Sequence, residues 1–371
     1  MKIGIDASRA FAKEKTGTEE YSYQLIKHIR LMNLNNHQIF LYVRNDSKID
    51  FDLPKNFFVK EINNNKLWTQ IGLSREMKKN PADVFFTPSY SIPFIHPFNS
   101  VATIHGLEFK YFPECYSAKE RLLLELNTLL IIRWSSKIIA PSENTKKDLM
   151  KFYKVNPEKI KVVYHGIVIG NWKLVNWEIK NESKKSQCFN ILFVGRIEKR
   201  KNLVSLIRAF EVLNSKFNPE FSGQNSKFKL ILAGKKGYGF DEIKKAILES
   251  PNKNDIIYKG YVSDKEKEEL YKNADIFVMP SLYEGFGLPV LEAMSYGVPV
   301  ICSNNSSLLE IVGGAGLLVD PNNIQEIAEA INKALNNSDF REEMIKRGFE
   351  NAKKFSWKKC ARETVNILLN C

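Results

Sequence analysis

The chain has 371 residues, 44% of them hydrophobic and 26% charged, and carries a formal net charge of +13. That length accommodates two domains, and the apolar fraction is that of a globular chain, which excludes long disorder; five scattered cysteines, Cys115, Cys188, Cys302, Cys360 and Cys371, have no paired spacing and argue against a zinc motif or a disulfide framework. The positive charge admits an acidic partner, whether nucleic acid, an anionic membrane surface or a polyphosphate ligand.

The first apolar run, Lys2–Asp6, reads as a β-strand carrying Asp6. It lacks the basic start and apolar core of an export signal, so a cytoplasmic protein is expected. Strand-like runs follow at Gln38–Val43, Val84–Thr87, Val101–His105 and Lys137–Pro141, with helical patterns near Glu19–Asn33, Lys119–Ser135 and Ser142–Phe152. This alternation predicts an α/β fold with a doubly wound parallel sheet. Between the first strand and the first helix, Lys15-Thr-Gly-Thr-Glu-Glu-Tyr21 forms a glycine turn in which the amides of Gly17 and Thr18 could meet a phosphate. Asp50-Phe51-Asp52 is a formal Asp-x-Asp, but its loop-like context reads as solvated acid rather than a metal site. His105 closes a strand, a place where a lone histidine is more often structural than catalytic. The longest apolar run, Leu122 to Trp134, is interrupted by Glu125 and Asn127 and falls short of the roughly 20 residues that span a bilayer. It predicts a buried crossover helix or an amphipathic one.

After the strand-like Lys161–Tyr164, the polar, lysine-rich stretch from Gly166 to Gln187 marks a boundary. The predicted domains are 1–167 and 168–355, with a last helix over 356–371. The second series of strands is Asn190–Val194, Lys229–Ala233, Ile256–Lys259, Asp275–Met279, Pro299–Cys302 and Gly316–Val319, and Asn214 to Lys227 reads as a surface loop. Two Rossmann-like halves result, each expected to bind ligands beyond the carboxyl ends of its strands. Gly195-Arg196 follows one such strand and Lys201-Asn202 opens the next helix, which sets two cations where a diphosphate could lie. Gly234 ends another strand and is a candidate neighbour of a nucleotide base. The run Asp275 to Pro280 leads into Glu284-Gly-Phe-Gly-Leu-Pro-Val-Leu-Glu292, a strand, a glycine turn and a helix with Pro289 in its first turn. Gly285 and Gly287 let the backbone approach a ligand, and the amides of Gly285, Phe286, Gly287 and Leu288 form a seat for phosphate. Glu284 and Glu292 flank that seat and are suited to accept hydrogen bonds from hydroxyl groups.

The Glu-x7-Glu spacing within Ser281–Met294 resembles the signature of the retaining glycosyltransferases of family GT4, and Gly195-Arg-Ile-Glu-Lys-Arg-Lys-Asn202 resembles that family's diphosphate-binding stretch, with Arg196 and Lys201 at matching positions. The resemblance implies a GT-B fold, two Rossmann-like domains facing each other across a cleft, with the helix after Phe355-Ser356-Trp357 packing back on the first domain. It implies transfer of a hexose, mannose or similar, from a GDP- or UDP-linked sugar to a saccharide or lipid-linked saccharide, with no metal and no cofactor beyond that co-substrate. His105, Glu284, Arg196 and Lys201 are then the catalytic candidates. The Gly17 loop would face the donor diphosphate, His105 the donor sugar, Glu284 the sugar hydroxyls and Glu292 the ribose. Relatives commonly carry Asp directly after the histidine, whereas here Gly106 and then Glu108 follow. The segments Leu67–Gln70 and Asp83–Tyr90 resemble the acceptor half of bacterial enzymes that build surface polysaccharides. A lipid-linked acceptor would bring the basic first half and the Lys119–Trp134 helix to an anionic membrane, on the inner face of the plasma membrane.

Three rivals remain. An epimerase or hydrolase on the same architecture would turn over without an acceptor. A nicotinamide dehydrogenase is disfavoured, because no Gly-x-Gly-x-x-Gly follows the first strand. A basic nucleic-acid-binding protein would account for +13, but no helix-turn-helix, zinc or RNA-binding signature is present and no nucleic acid is expected.

Overall fold

The computed structural model describes residues 1–12, 14–63, 67–168, 188–217 and 228–371. The chain divides into two compact units, Met1–Gly166 together with Phe355–Cys371, and Ile167–Lys354. Most of the expected 166–187 linker, and residues 218–227 of the expected surface loop, lie outside the described residues; Asn214 itself belongs to the helix Leu203–Phe217.

The first unit is built on seven strands, β1 (Lys2–Asp6), β2 (Gln38–Arg44), β3 (Phe57–Ile62), β4 (Val84–Thr87), β5 (Asn99–Thr103), β6 (Lys137–Ala140) and β7 (Ile160–Val162), ordered β3-β2-β1-β4-β5-β6-β7. Every pairing is parallel. Parallel strands are covered on both faces, so they read as continuous apolar runs: Val84, Phe85 and Phe86 of β4 are wholly buried, each side chain contributing roughly 1.5–3 kcal/mol. Strand β3 escapes the sequence reading because it is an edge, with Phe57 and Ile62 buried at its ends and four exposed residues between them, a pattern with neither alternation nor a continuous apolar run. A π-helical turn, Trp68–Leu73, running into the helix Ser74–Lys79, and the short helix Glu108–Tyr111 are also unannounced by the sequence.

The C-terminal helix Trp357–Leu369 belongs to this unit and buries Trp357, Cys360, Ala361, Val365 and Leu368. Its Trp357 ring stacks on His165 at 6.0 Å and approaches Tyr21 at 6.1 Å. The helix Ala118–Trp134 departs from the reading as a buried crossover: only Thr128 and Ile131 are buried, while Leu122, Leu123, Leu126 and Leu129 face outward. Leucines on both sides of a helix make its periodicity ambiguous, and packing alone decides which side is covered.

The second unit contains β8 (Phe189–Val194), β9 (Phe228–Ala233), β10 (Ile256–Gly260), β11 (Ile276–Met279), β12 (Val300–Ser303) and β13 (Leu317–Val319), in the order β10-β9-β8-β11-β12-β13. These pairings are parallel too. In each unit the order runs outward in one direction from the first strand and then resumes on its other side, so a topological switch point lies between β1 and β4 and between β8 and β11. Ligands of such sheets bind beyond the strand ends at that switch point.

Candidate active site

In the second unit, the loops after β8 and β11 bring together residues more than eighty positions apart in the chain. After β8, Lys199–Lys201 forms a single 3₁₀ turn, Asn202 takes a left-handed conformation (φ +56°) and the helix Leu203–Phe217 begins beyond it. Lys201 therefore closes the turn before the helix rather than opening the helix itself. After β11, the chain passes through Glu284 and a glycine turn into the helix Leu288–Ser295, with Pro289 at its start. Lys201 and Glu284, each 8% exposed, meet there. The Lys201 Nζ donates to Glu284 Oε1, and the Arg200 guanidinium stands 3.5 Å from Oε2.

Arg200, which sequence reasoning passed over, ties the two loops further. It donates to the Tyr283 carbonyl and pairs with Glu198 at 2.7 Å, and its own carbonyl accepts from the Leu282 amide at 2.9 Å. Burial acts to raise the Glu284 pKa, but the Lys201 and Arg200 charges, with the hydrogen bond from Lys201, outweigh it and hold the carboxyl below its ordinary range. The result is an ionised, buried carboxylate locked between two cations.

A third loop, following β12, braces the second. Ser306, in a left-handed conformation (φ +49°), accepts from the Glu284 amide at 2.9 Å. The Ser307 hydroxyl donates to the Glu284 and Phe286 carbonyls at 2.8 and 2.7 Å, and Asn305 donates to the Ser281 carbonyl at 3.3 Å. In the sequence Ser303-Asn-Asn-Ser-Ser307 is a polar turn like any other; only the fold sets it against Glu284. Gly287 takes φ +117°, and a Cβ there would lie 2.8 Å from Leu308, so the turn that aims the helix N-terminus demands glycine. Glu292, one turn into that helix, accepts from Lys267 at 2.9 Å and from the buried Tyr271 hydroxyl at 2.9 Å.

Arg196 extends half-exposed from the end of β8, with its Nε 4.0 Å from Glu198. Gly234 has a structural reason of its own: with φ +148°, a Cβ would fall 1.7 Å from the Gly195 carbonyl oxygen, so the ends of β8 and β9 can approach only because it is glycine. The Gly195 N–H donates a hydrogen bond to the Ala233 carbonyl at 2.9 Å and the Gly234 N–H to the Gly260 carbonyl at 2.7 Å.

In the first unit, Gly17 opens the helix Gly17–Ile29, capped by Thr16, whose side chain and amide are engaged by Glu19. Arg9 pairs with Glu19 at 2.8 Å. The Thr18 carbonyl accepts from Ser22 at 2.8 Å. A Cβ at Gly17 would meet nothing within 4 Å; neither packing nor backbone conformation requires glycine there. One turn along, Tyr21 packs edge to face on His105 at 4.9 Å, so the fold unites the Gly17 helix with the histidine. His105 lies two residues beyond the end of β5, and its Nε2 is 2.8 Å from the Pro88 carbonyl. With Gly106 in place of a carboxylate, the ring is oriented by a backbone oxygen instead. The Tyr90 hydroxyl holds Gly106 from both sides, accepting from its amide at 2.8 Å and donating to its carbonyl. Burial pushes the His105 pKa down to about 4, against the opposing pull of the Pro88 carbonyl, which keeps the imidazole neutral near pH 7.

Asp50 accepts from Tyr23 at 3.0 Å and the Asp52 carbonyl from Arg30 at 3.1 Å, which ties the Asp-x-Asp stretch to the surface of the first unit. Among the described residues no group of three or more His, Cys, Asp or Glu is arranged to hold a metal ion, and no helix is long and apolar enough to cross a membrane.

Two doubly wound parallel sheets, one in each unit, are the arrangement of the GT-B fold. Residues 16–170 match the family described as Glycosyltransferase Family 4 and residues 175–351 match Glycosyl transferases group 1; the chain belongs to this glycosyltransferase family. An O-antigen chain mannosyltransferase B of Escherichia coli is 42% identical over 175 residues, 47% of this chain and 44% of that protein, so the match spans less than half that relative's length. A glycosyltransferase of Methanocaldococcus jannaschii, itself uncharacterized, is 30% identical over 72% of this chain and 68% of its own. Sucrose-phosphate synthase from Thermosynechococcus elongatus superposes with a TM-score of 0.77 over 100% of this chain and 98% of that one, at 17% identity, a likeness of fold.

Proposed function

We propose that the chain transfers a hexose, mannose or a close relative, from a nucleotide diphosphate sugar to a saccharide or lipid-linked saccharide in surface glycan synthesis, with retention at the anomeric carbon. The observation that carries this reading is the buried Lys201–Glu284–Arg200 cluster beyond the ends of β8 and β11. Similarity to the O-antigen mannosyltransferase supports the sugar and the setting. A lipid-linked acceptor would place the reaction at the inner face of the plasma membrane.

In the proposed reaction the bond from the anomeric carbon to the donor diphosphate breaks and a bond to the acceptor oxygen forms. The acceptor's hydroxyl proton passes to the departing diphosphate. Positive charge builds on the sugar and negative charge on the leaving group, so fixed donors aimed at the diphosphate stabilise the transition state more than the ground state. One Lys201 N–H is committed to Glu284, and the ammonium's other two are suited to phosphate oxygens. Arg196 and the amides of Gly285, Phe286, Gly287 and Leu288 are assigned to the same group. Glu284 has lone pairs beyond those its cations engage and accepts from donor-sugar hydroxyls. Glu292 accepts from the ribose, its second role beside the Lys267 and Tyr271 bonds. Gly17 and Thr18 serve the diphosphate and His105 the sugar; Gly234 serves the base through its close-packed turn.

The test is calorimetric titration with GDP-, UDP-, ADP- and dTDP-sugars, with and without chelator, followed by transfer of labelled sugar to an oligosaccharide. Binding of one nucleotide class, indifferent to chelator, and sugar release that requires acceptor are expected. Absence of nucleotide binding would overturn the transferase reading, and equal turnover without acceptor would replace it with a hydrolase or epimerase.

A further inference from the structure

Glu292 is held from two sides by a helix to which the sequence reading gave no role. The helix Asp264–Asn273 follows β10 in the second unit. In a parallel sheet each crossover starts beyond the carboxyl ends of the strands, so the first turn of this helix lies on the same edge of the sheet as the Glu284 turn. Lys267 and Tyr271 are four residues apart on it and share one face. The Lys267 Nζ donates to Glu292 Oε1 at 2.9 Å, and the Tyr271 hydroxyl donates to Oε2 at 2.9 Å. Each carboxylate oxygen therefore has a donor of its own.

The Tyr271 side chain is wholly buried, stacked on Tyr296 at 5.5 Å and packed against Phe277 at 6.0 Å, so packing fixes where its hydroxyl points. Burial and the Glu292 charge push its pKa up, which keeps it an O–H donor. That single proton has a second acceptor in reach, the Pro289 carbonyl at 3.4 Å, but Glu292 is the closer one. Lys267 and Glu292 are 26% and 22% accessible, a charge-assisted bond largely withdrawn from water. Asp264, 3.6 Å from the same ammonium, is 84% accessible and competes weakly. Apolar side chains would join two helices at less cost in desolvation than this ion pair. What the pair adds is orientation: with both oxygens tethered, the carboxylate cannot turn about its own axis.

An ionised carboxylate has about four acceptor sites. Lys267 and Tyr271 occupy one on each oxygen, which leaves each oxygen able to receive a further donor. Two adjacent acceptors held at fixed spacing match a vicinal diol, and a ribose presents one where a 2′-deoxyribose presents a single hydroxyl. A donor lacking the 2′-hydroxyl would leave one partly buried, charged acceptor unpaired, the costly way to lose a hydrogen bond.

The geometry points to Lys267, together with Tyr271, as a positioning residue that sets Glu292 to receive both hydroxyls of a ribose, so that the site selects ribonucleoside diphosphate sugars and rejects 2′-deoxyribonucleoside ones, dTDP-sugars among them. This rests on the assignment of Glu292 to the donor ribose under the proposed function.

Calorimetric titration of the full chain with GDP, UDP and ADP, and with the 2′-deoxy form of each, is the test. For whichever base binds, the ribose form is expected to bind roughly ten-fold or more tightly than its deoxy form. Lys267→Met keeps most of the side chain's length and loses the ammonium; it should weaken the ribose form more than the deoxy form and lower their ratio about three-fold or more. Lys267→Arg should keep the ratio. Tyr271→Phe retains the stacked ring and should lower the ratio independently. A mere tether between helices would lower the thermal midpoint and weaken both forms alike, so a ratio that survives both Lys267→Met and Tyr271→Phe overturns the positioning role. Equal binding of ribose and deoxy forms by the unaltered protein overturns the selectivity. Either result leaves the transferase reading standing, because a nucleotide still binds and transfer of labelled sugar is measured separately; absence of binding to all of these nucleotides removes both.

Discussion

Removing Lys201 would leave the Glu284 carboxylate with Arg200 at 3.5 Å as its remaining cation. A buried acceptor stripped of its closest donor costs roughly 1–3 kcal/mol, so Lys201→Ala is expected to lower the thermal midpoint as well as transfer, by about a hundred-fold or more if it faces the developing charge. The double variant Lys201→Met/Glu284→Gln removes both charges together. It should recover much of the stability and none of the activity, which a melting curve and a transfer assay read separately. The signs with pH follow from the same contacts. The Glu284 pKa is depressed in the fold, so its contribution to stability is complete above the unfolded carboxylate's pKa and is lost as pH falls through the lower, folded value. His105 has a folded pKa of about 4 against 6.5. Between those limits the unfolded chain binds more protons, and stability falls on acidification from pH 6.5 to 4, by at most about 1.4 kcal/mol per pH unit for one such group. His105→Gln should flatten that slope in urea titrations across the window; an unchanged slope would show that His105 does not titrate as its burial dictates.

Among the elements, two glycines in turns make opposite predictions. Gly234 holds β8 and β9 close, and an alanine Cβ would sit 1.7 Å from the Gly195 carbonyl oxygen, so Gly234→Ala is expected to cost about 3 kcal/mol or more, visible as a fall in melting temperature with donor present or absent. Gly17 has open space above it, and alanine is a better helix former. Gly17→Ala should leave the melt unchanged or slightly raised while slowing transfer, and bulkier Gly17→Leu should slow it further. Equal activity in both Gly17 variants would remove the loop from the donor site. The legibility of these elements divides along the same lines. The glycine turn before Leu288–Ser295 was plain in the sequence because glycine, proline and an apolar strand stand in unbroken order. Strand β3 was not, because an edge strand with Lys60 and Glu61 outward loses the apolar pattern that buried strands keep. The outward leucines of Ala118–Trp134 were legible as residues but not as a surface.

For the molecule as a whole, a segment far along the chain completes the first unit. Trp357, Cys360, Ala361, Val365 and Leu368 are buried there, so truncation at Lys354 would expose the apolar surface they cover. The truncated chain is expected to lose protection of residues 1–166 from protease while the second unit, which has its own sheet and core, still binds nucleotide; retention of protease resistance in the first unit would show that the helix is dispensable.

Composition and order along the chain were enough to determine two parallel α/β units, the βα turns that carry Arg196, Lys201 and Glu284, and the family those turns belong to, because each depends on residues within about thirty positions of one another and on periodicities that local sequence records. The pairing of Lys201 with Glu284, the clamp by Arg200 and the seating of His105 against Tyr21 join positions more than eighty apart, and the bracing of Glu284 by Ser306 and Ser307 and of His105 by Pro88 links one strand-end loop to the next, which no local periodicity records. Parallel sheets bring successive strand ends together only after long crossovers, so those contacts, and the charge states they impose on Glu284 and His105, came into being with the tertiary structure.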